Sequence, residues 1–403
     1  MRRVLHLGLV ALTGLAAGAL VGLARPAASD DPDPAPSPPT AVTAPPADRE
    51  PTDHLTDGAA ATRSPSVLVW TTGGLPPELG PRVAALPEVA RTTVVAGDLV
   101  TAVEVLGPDG RRQEQPPAGL VLGLDAIAVD PTTYPPFARR ADRRLLRGLV
   151  PGEALVGATS AALHDLSRGD RLVLGTGTTV RVVGVVADQS VGAAELVLPL
   201  AGGPRAGVRT PRHLLARPTT GSSAAAAAIR ALPTDRPRRV RVEGETPYLR
   251  SSDAVLPESR IEATFGSWAY ARGPGNEVRP DPTWVAANIV TADVPILGEV
   301  RCHRALVPAL RGAMTELVEQ NLAGLIQTYD GCYNPRTVAG GDSISRHAWG
   351  AAVDLNFGGN RTGAASIQDD RLVEIMARWG FASGDGWLVP DPGHFEYVAP
   401  PRA

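Results

Sequence analysis

The chain of 403 residues has no lysine, and all 39 of its basic side chains are arginine. Against 42 acidic residues this leaves a net charge of −3, so no basic excess argues for a nucleic-acid partner. An all-arginine set beside abundant Ala, Gly and Pro reflects overall composition, which makes any single arginine weak evidence of a binding site. Cysteine is nearly absent. Cys302 and Cys332 are the two present, and their spacing excludes a cysteine-rich zinc motif. An even pair in an exported chain suggests a disulfide, and two unpaired buried thiols are the other reading. A single long apolar run occurs, from Val4 to Ala24 behind Arg2 and Arg3. That pattern reads as a signal peptide, and its length also suffices to span a bilayer as a signal-anchor. Arg25-Pro26-Ala27-Ala28-Ser29 is a poor cleavage site, and the lack of a following cysteine excludes a lipoprotein anchor. Both readings of residues 1–28 place the body of the chain outside the cytoplasm, either held at the membrane by this segment or secreted to the cell wall.

Residues 29–65 are rich in Pro, Ala, Asp and Thr and poor in large apolar side chains. They cannot bury a core and read as an extended linker. From residue 66 to about 200 short apolar runs recur: Val67–Trp70, Thr93–Ala96, Val100–Val105, Gly119–Leu124, Arg171–Leu174 and Val180–Val186. These predict an α+β domain of many short strands. Residues 201–250 are rich in Arg and Ala and read as a linker or the end of the preceding domain, with one helix from Ser222 to Leu232. Arg236-Pro237-Arg238-Arg239 reads as a solvated face. Residues 251–403 form a further domain. Leu306, Leu310, Met314, Leu317, Val318, Leu322 and Leu325 recur at helical spacing within 305–325, Ile326–Tyr329 is a strand, and Asp369–Trp379 is a second amphipathic helix closed by Gly380. The fold class is α+β: an apolar N-terminal helix, a domain of short strands, then a C-terminal domain with a small antiparallel sheet and flanking helices.

Of the seven histidines, five have ordinary explanations as surface, core or segment residues. His347 and His394 differ by their surroundings. Ser345-Arg346-His347-Ala348-Trp349-Gly350-Ala351-Ala352-Val353-Asp354 precedes Asp391-Pro392-Gly393-His394-Phe395-Glu396. Two histidines and a carboxylate can supply three ligands to one zinc ion and leave its fourth position open for water, the layout of a hydrolase. Gly350 permits a tight bend after His347. Asp354 and His394 fit adjacent strands of one sheet, with Glu396 on the same face as His394. Asp391, on the turn before the second strand, is the candidate base, and Glu396 is its rival or a hydrogen-bonding neighbour of a ligand.

Those two motifs resemble the VanY-like zinc peptidases, which include D-alanyl-D-alanine carboxypeptidases and L-alanyl-D-glutamate endopeptidases. Tyr329-Asp330-Gly331-Cys332-Tyr333-Asn334-Pro335-Arg336, Gly380-Phe381 and Gly384-Asp385-Gly386-Trp387 extend the resemblance. It implies that His347, Asp354 and His394 bind one zinc ion and that Asp391 is the general base, where carboxypeptidase members carry Glu and endopeptidase members Asp. It also implies that Arg336 stabilises the oxyanion or grips a substrate carboxylate, that Ser345 lines the cleft and that Trp387 walls it. Pro392-Gly393 and Ser383 depart from the family pattern. The implied activity is hydrolysis of peptidoglycan stem peptides, of the D,D-carboxypeptidase or L-Ala-D-Glu endopeptidase type. The alternative is a non-catalytic wall-peptide binding or sensor protein with structural zinc. Residues 66–200 resemble the extracytoplasmic domain of MacB-type ABC-transporter permeases. That likeness rests on Leu86-Pro87-Glu88-Val89, the Val121–Asp125 strand with Asp130-Pro131, Val150–Gly157, and Leu166–Leu174 with the strand after it. It implies a binding or positioning module and no catalytic residue.

Overall fold

The computed structural model describes residues 65–400. The readings of residues 1–28, and of all but the end of 29–65, lie outside the described residues. Among the described residues no helix is long and apolar enough to cross a membrane. The fold is mixed α+β.

Ten strands make the first sheet: β1 Val67–Thr71, β2 Val89–Leu106, β3 Arg112–Glu114, β4 Leu122–Val129, β5 Glu153–Gly157, β6 Arg171–Leu174, β7 Thr179–Val186, β8 Leu196–Pro199, β9 Pro211–Pro218 and β10 Arg238–Val242. The two runs at 93–96 and 100–105 are one strand of 18 residues, β2, with Gly97-Asp98-Leu99 inside it. This strand pairs in turn with β9, β4 and β6 along its length. Following the pairing through β4, β8, β5, β7 and β6 returns to β2, so six strands close a barrel. Strands β9, β1 and β10 extend from the first half of β2 as an open wing.

Alternation explains the packing. Leu122, Leu124, Ala126 and Ala128 of β4 share one buried cluster with Ala154 and Val156 of β5 and Leu196 and Leu198 of β8. Their neighbours Ile127, Val129, Leu155 and Val197 belong to a second cluster, with Tyr134, Phe137 and Leu146. Successive residues of a strand point to opposite faces, so both faces of these strands are apolar. Closure also removes free strand edges.

The stretch 201–250, read as a linker or the end of the preceding domain, supplies β9 and β10 of the first sheet and so is the end of that domain, and the helix between them is Ser222–Ala231. The linker alternative arose because β10 is Arg-Arg-Val-Arg-Val, with only Val240 buried. Its charges have local partners: Arg241 stacks over Trp70 and, like Arg239, faces Asp253.

After residue 250 come two small hairpins, β11 Tyr270–Arg272 with β12 Val278–Pro280 and β13 Ile289–Val294 with β14 Gly298–His303. A four-stranded antiparallel sheet follows, in the order β15 Tyr329–Gly331, β16 Ala352–Leu355, β18 Asp391–Tyr397 and β17 Phe381–Gly384. One face is covered by the helices Val307–Glu319 and Asp370–Arg378. Leu310, Met314, Leu372 and Ile375 share a core with Val353, Leu355 and Phe395. The first helix stops at Glu319, short of the expected 325, because Asn321 turns into the left-handed region at φ 58°. The amide of Leu322 then closes on the Leu317 carbonyl. The strand expected at 326–329 begins at Tyr329. Asp369 caps the second helix by accepting from the Arg371 amide at 2.9 Å. Cys302 and Cys332 form a disulfide that ties β14 to the loop after β15. Closing a loop of 30 residues contributes about 3–4 kcal/mol in the chain-entropy account.

Candidate active site

Ser345 caps a short 3-10 turn, Arg346–Trp349, that presents His347. Gly350 ends the turn at φ 63°, where an added Cβ would lie 2.6 Å from the His303 amide nitrogen. The Gly350 carbonyl accepts from that same amide at 3.0 Å. Only glycine satisfies both the backbone angle and the close approach. The chain then enters β16, where Asp354 stands directly opposite His394 of β18. Alternation sends Val353, Leu355 and Phe395 into the helix-covered core and leaves Asp354 and His394 together on the other face.

His347 Nδ1 lies 2.7 Å from the Cys332 carbonyl. A carbonyl can only accept, so Nδ1 carries the proton and Nε2 presents a lone pair. That Nε2 is 3.1 Å from Asp354 Oδ1 and 3.1 Å from His394 Nδ1, and the last two atoms are 3.3 Å apart. Burial opposes ionisation of Asp354, but hydrogen bonding to the two imidazoles outweighs it and holds the carboxyl well below the usual range. Three donor atoms of a tetrahedral zinc at 2.0–2.1 Å would be about 3.3 Å apart. The observed triangle and its N,N,O donor set fit that ion. The carbonyl-held His347 is the ligand-orienting arrangement such sites use.

Asp391 is the first residue of β18 and pairs with Gly384, rather than lying on the preceding turn. Its Oδ1 accepts from Thr362 Oγ1 at 3.0 Å. The register jumps from Ser383 opposite Phe395 to Gly384 opposite Asp391, so Pro392, Gly393 and His394 bulge out of the pairing with β17. Proline has no amide to lose there, and the Gly393 amide donates to the Asn360 carbonyl at 3.0 Å. The unusual Pro392-Gly393 step therefore makes the bulge that carries His394.

Arg336 lies in a loop bridge opposite Glu277 rather than in a regular strand. Its Nη1 donates to Ser345 Oγ at 3.3 Å, and the same oxygen accepts from the His347 amide at 3.4 Å. The Trp387 and His394 rings lie 5.2 Å apart between centroids. His347, Asp354, His394, Ser345, Arg336 and Trp387 are thus linked by direct contacts. Asp391 shares β18 with His394. Glu396 is turned to other partners: Oε1 accepts from the Val255 amide, and Oε2 faces Arg346 at 3.8 Å, where Arg346 also binds Glu258. It therefore touches no ligand, contrary to its reading as a hydrogen-bonding neighbour of one. His303 is also away from the triangle. It is buried between the Phe265 carbonyl and the Ala305 amide, and burial lowers it to about 4.

Sequence reasoning missed four supports. Thr362 carried no signal. The Cys332 carbonyl is a backbone group, invisible in a motif. Arg239 donates to the Gly386 carbonyl at 2.6 Å, and Asp253 accepts from the Leu388 amide at 2.6 Å, so both clasp the loop bearing Trp387. The charge run containing Arg239 had suggested only a solvated face.

Residues 339–397 match a family model described as D-alanyl-D-alanine carboxypeptidase. This segment is similar to a peptidase. It spans Ser345, His347, Asp354, Trp387, Asp391 and His394, and it stops short of Arg336 and both cysteines. The structure search finds the periplasmic region of MacB from Actinobacillus actinomycetemcomitans at 9% identity and TM-score 0.30, covering 46% of this chain and 92% of that one. It also finds the extracellular domain of the noncanonic ABC-type transporter YknZ from Gram-positive bacteria, at 13% identity and TM-score 0.29, covering 44% and 99%. No match was found among curated proteins.

Proposed function

We propose that the C-terminal region is a zinc-dependent peptidase that hydrolyses peptide bonds of peptidoglycan stem peptides outside the cytoplasm. The observation that carries this reading is the triangle of His347 Nε2, Asp354 Oδ1 and His394 Nδ1, with edges of 3.1–3.3 Å, inside the peptidase-like segment. The disulfide favours an oxidising compartment.

His347, Asp354 and His394 would hold the ion, which supplies Lewis acidity toward water and the peptide carbonyl. Asp391 accepts a proton from the attacking water and returns it to the leaving amine. Thr362 keeps the Asp391 carboxylate oriented by donating to Oδ1. Arg336, anchored through Ser345, offers a permanent planar cation to a substrate carboxylate or to the developing oxyanion. Trp387 forms an apolar wall beside His394.

The test is mass spectrometry of defined muropeptides incubated with the zinc-loaded full chain. Cleavage is expected to stop on chelation and to fall about 10²–10⁴-fold in Asp391→Ala. Full activity in Asp391→Ala removes the assigned base. Binding of wall peptides without turnover by the zinc-loaded wild type favours a non-catalytic wall-binding role instead.

A further inference from the structure

A second cluster of metal-type donors lies away from the peptidase triangle. His164 ends the helix Ala158–Leu163, Glu195 precedes β8, and Glu262 sits on the helix Glu258–Phe265. One donor atom from each lies within 4.8 Å of the others. All three residues are deeply buried, with relative exposures of 7%, 1% and 6%. His164 Nε2, Glu195 Oε1 and Glu262 Oε2 have no hydrogen-bond partner.

Such orphaned groups are costly unless something pairs with them. The ring of His164 is aimed as a ligand would be. Its Nδ1 faces Glu114 Oε2 at 3.4 Å, and its Nε2 points toward Glu262 Oε2 at 3.6 Å. A metal-bound imidazole commonly hands its other N–H to a carboxylate in this way. Glu195 has its remaining oxygen committed, since Oε2 accepts from the Asp125 amide at 2.7 Å. Glu195 and Glu262 also line one small cavity with Trp268 and Tyr270.

Charge points the same way. Three carboxylates, those of Glu114, Glu195 and Glu262, surround a single imidazole. The pocket favours positive charge where the three orphaned atoms converge.

We infer that His164, Glu195 and Glu262 form a second cation site, for a divalent transition metal of the zinc class, which pins the barrel to the helix Glu258–Phe265. One imidazole and two carboxylates suit such an ion better than calcium, which takes oxygen ligands alone. The inference is independent of the peptidase reading, because the two donor sets share no residue.

Metal stoichiometry on the full chain tests both sites at once. The protein is stripped with chelator, loaded with zinc, desalted and measured by mass spectrometry for zinc per chain. Wild type is expected to retain two ions, and Glu262→Gln, Glu195→Gln and His347→Ala one each. The pair His347→Ala with Glu262→Gln should retain none. The glutamines keep side-chain shape, and either serves if the other fails to fold. A second readout is the thermal midpoint of His347→Ala, which zinc should raise and which the added Glu262→Gln should make insensitive. The inference falls if wild type retains one ion that Glu262→Gln and Glu195→Gln keep and His347→Ala loses. One ion lost in Glu262→Gln and kept in His347→Ala supports this site and removes the peptidase ligand set instead.

Discussion

The barrel and the four-stranded C-terminal sheet use the same alternation of side chains to opposite ends. In the barrel both faces of the central strands are apolar: Leu122, Leu124, Ala126 and Ala128 point to one core and Ile127 and Val129 to another. In the C-terminal sheet only one face is apolar. Val353, Leu355 and Phe395 meet the helices, and the intervening Asp354 and His394 are left on the opposite face. A strand with two buried faces gives its inner positions to packing, and the second donor cluster uses residues at element ends and on a helix instead. A strand with one buried face can hold ligands on a rigid backbone.

Four experiments would break or sharpen that contrast. The largest effect is expected at the disulfide, which lies beside the candidate site. Replacing Cys302 and Cys332 together by Ser should cost about 3–4 kcal/mol by urea unfolding. It should also weaken zinc retention, since the Cys332 carbonyl sets the His347 tautomer. A loss below about 1 kcal/mol would show that the loop is ordered without the bond. Leu172→Ala, in the barrel core, should cost about 2–4 kcal/mol and leave kcat/KM on muropeptides unchanged. A parallel fall in kcat/KM would mean that the two regions are not separable. Arg239→Ala should lower kcat/KM about tenfold, or about 1.4 kcal/mol, at unchanged zinc content. Unchanged kinetics there would detach the wing from the cleft.

The smallest effect is in acid. The folded value of His303 is lowered to about 4 by burial, against 6.5 unfolded. The unfolded chain therefore takes the proton first. The stability contributed by the neutral form is whole above pH 6.5 and declines as pH falls toward 4. At pH 5.5 the loss should be about 1 kcal/mol and absent from His303→Gln, measured as the difference in urea midpoints.

The sequence exposed the site better than the fold that carries it. His347, Asp354 and His394 sit in short motifs whose glycines and alternation announce their geometry, and the structure brings their donor atoms together. The strand at Arg171–Leu174 was visible because Leu172, Val173 and Leu174 make a short apolar run. Barrel closure was not, since it depends on Ala102 to Leu106 of β2 pairing with a strand some 70 residues away. Strand β10 was hidden because three of its five residues are arginine and their partners lie elsewhere in the chain. The role of Glu396 also escaped, because alternation gives the face of a side chain and not which neighbour it finds along that face.

The clasp formed by Arg239 and Asp253 on the loop of Trp387 has a practical consequence. A fragment cut at residue 250, the boundary suggested by composition, would keep the three ligands proposed for the peptidase site and the base, and would lose His164 and Glu195 of the second cluster. It would lose Arg239, and Asp253 would lose both of its arginine partners. Such a fragment should still bind zinc while the wall beside His394 hangs from one fewer anchor. Weak cleavage by the isolated piece would then measure the missing strand rather than the chemistry of the site.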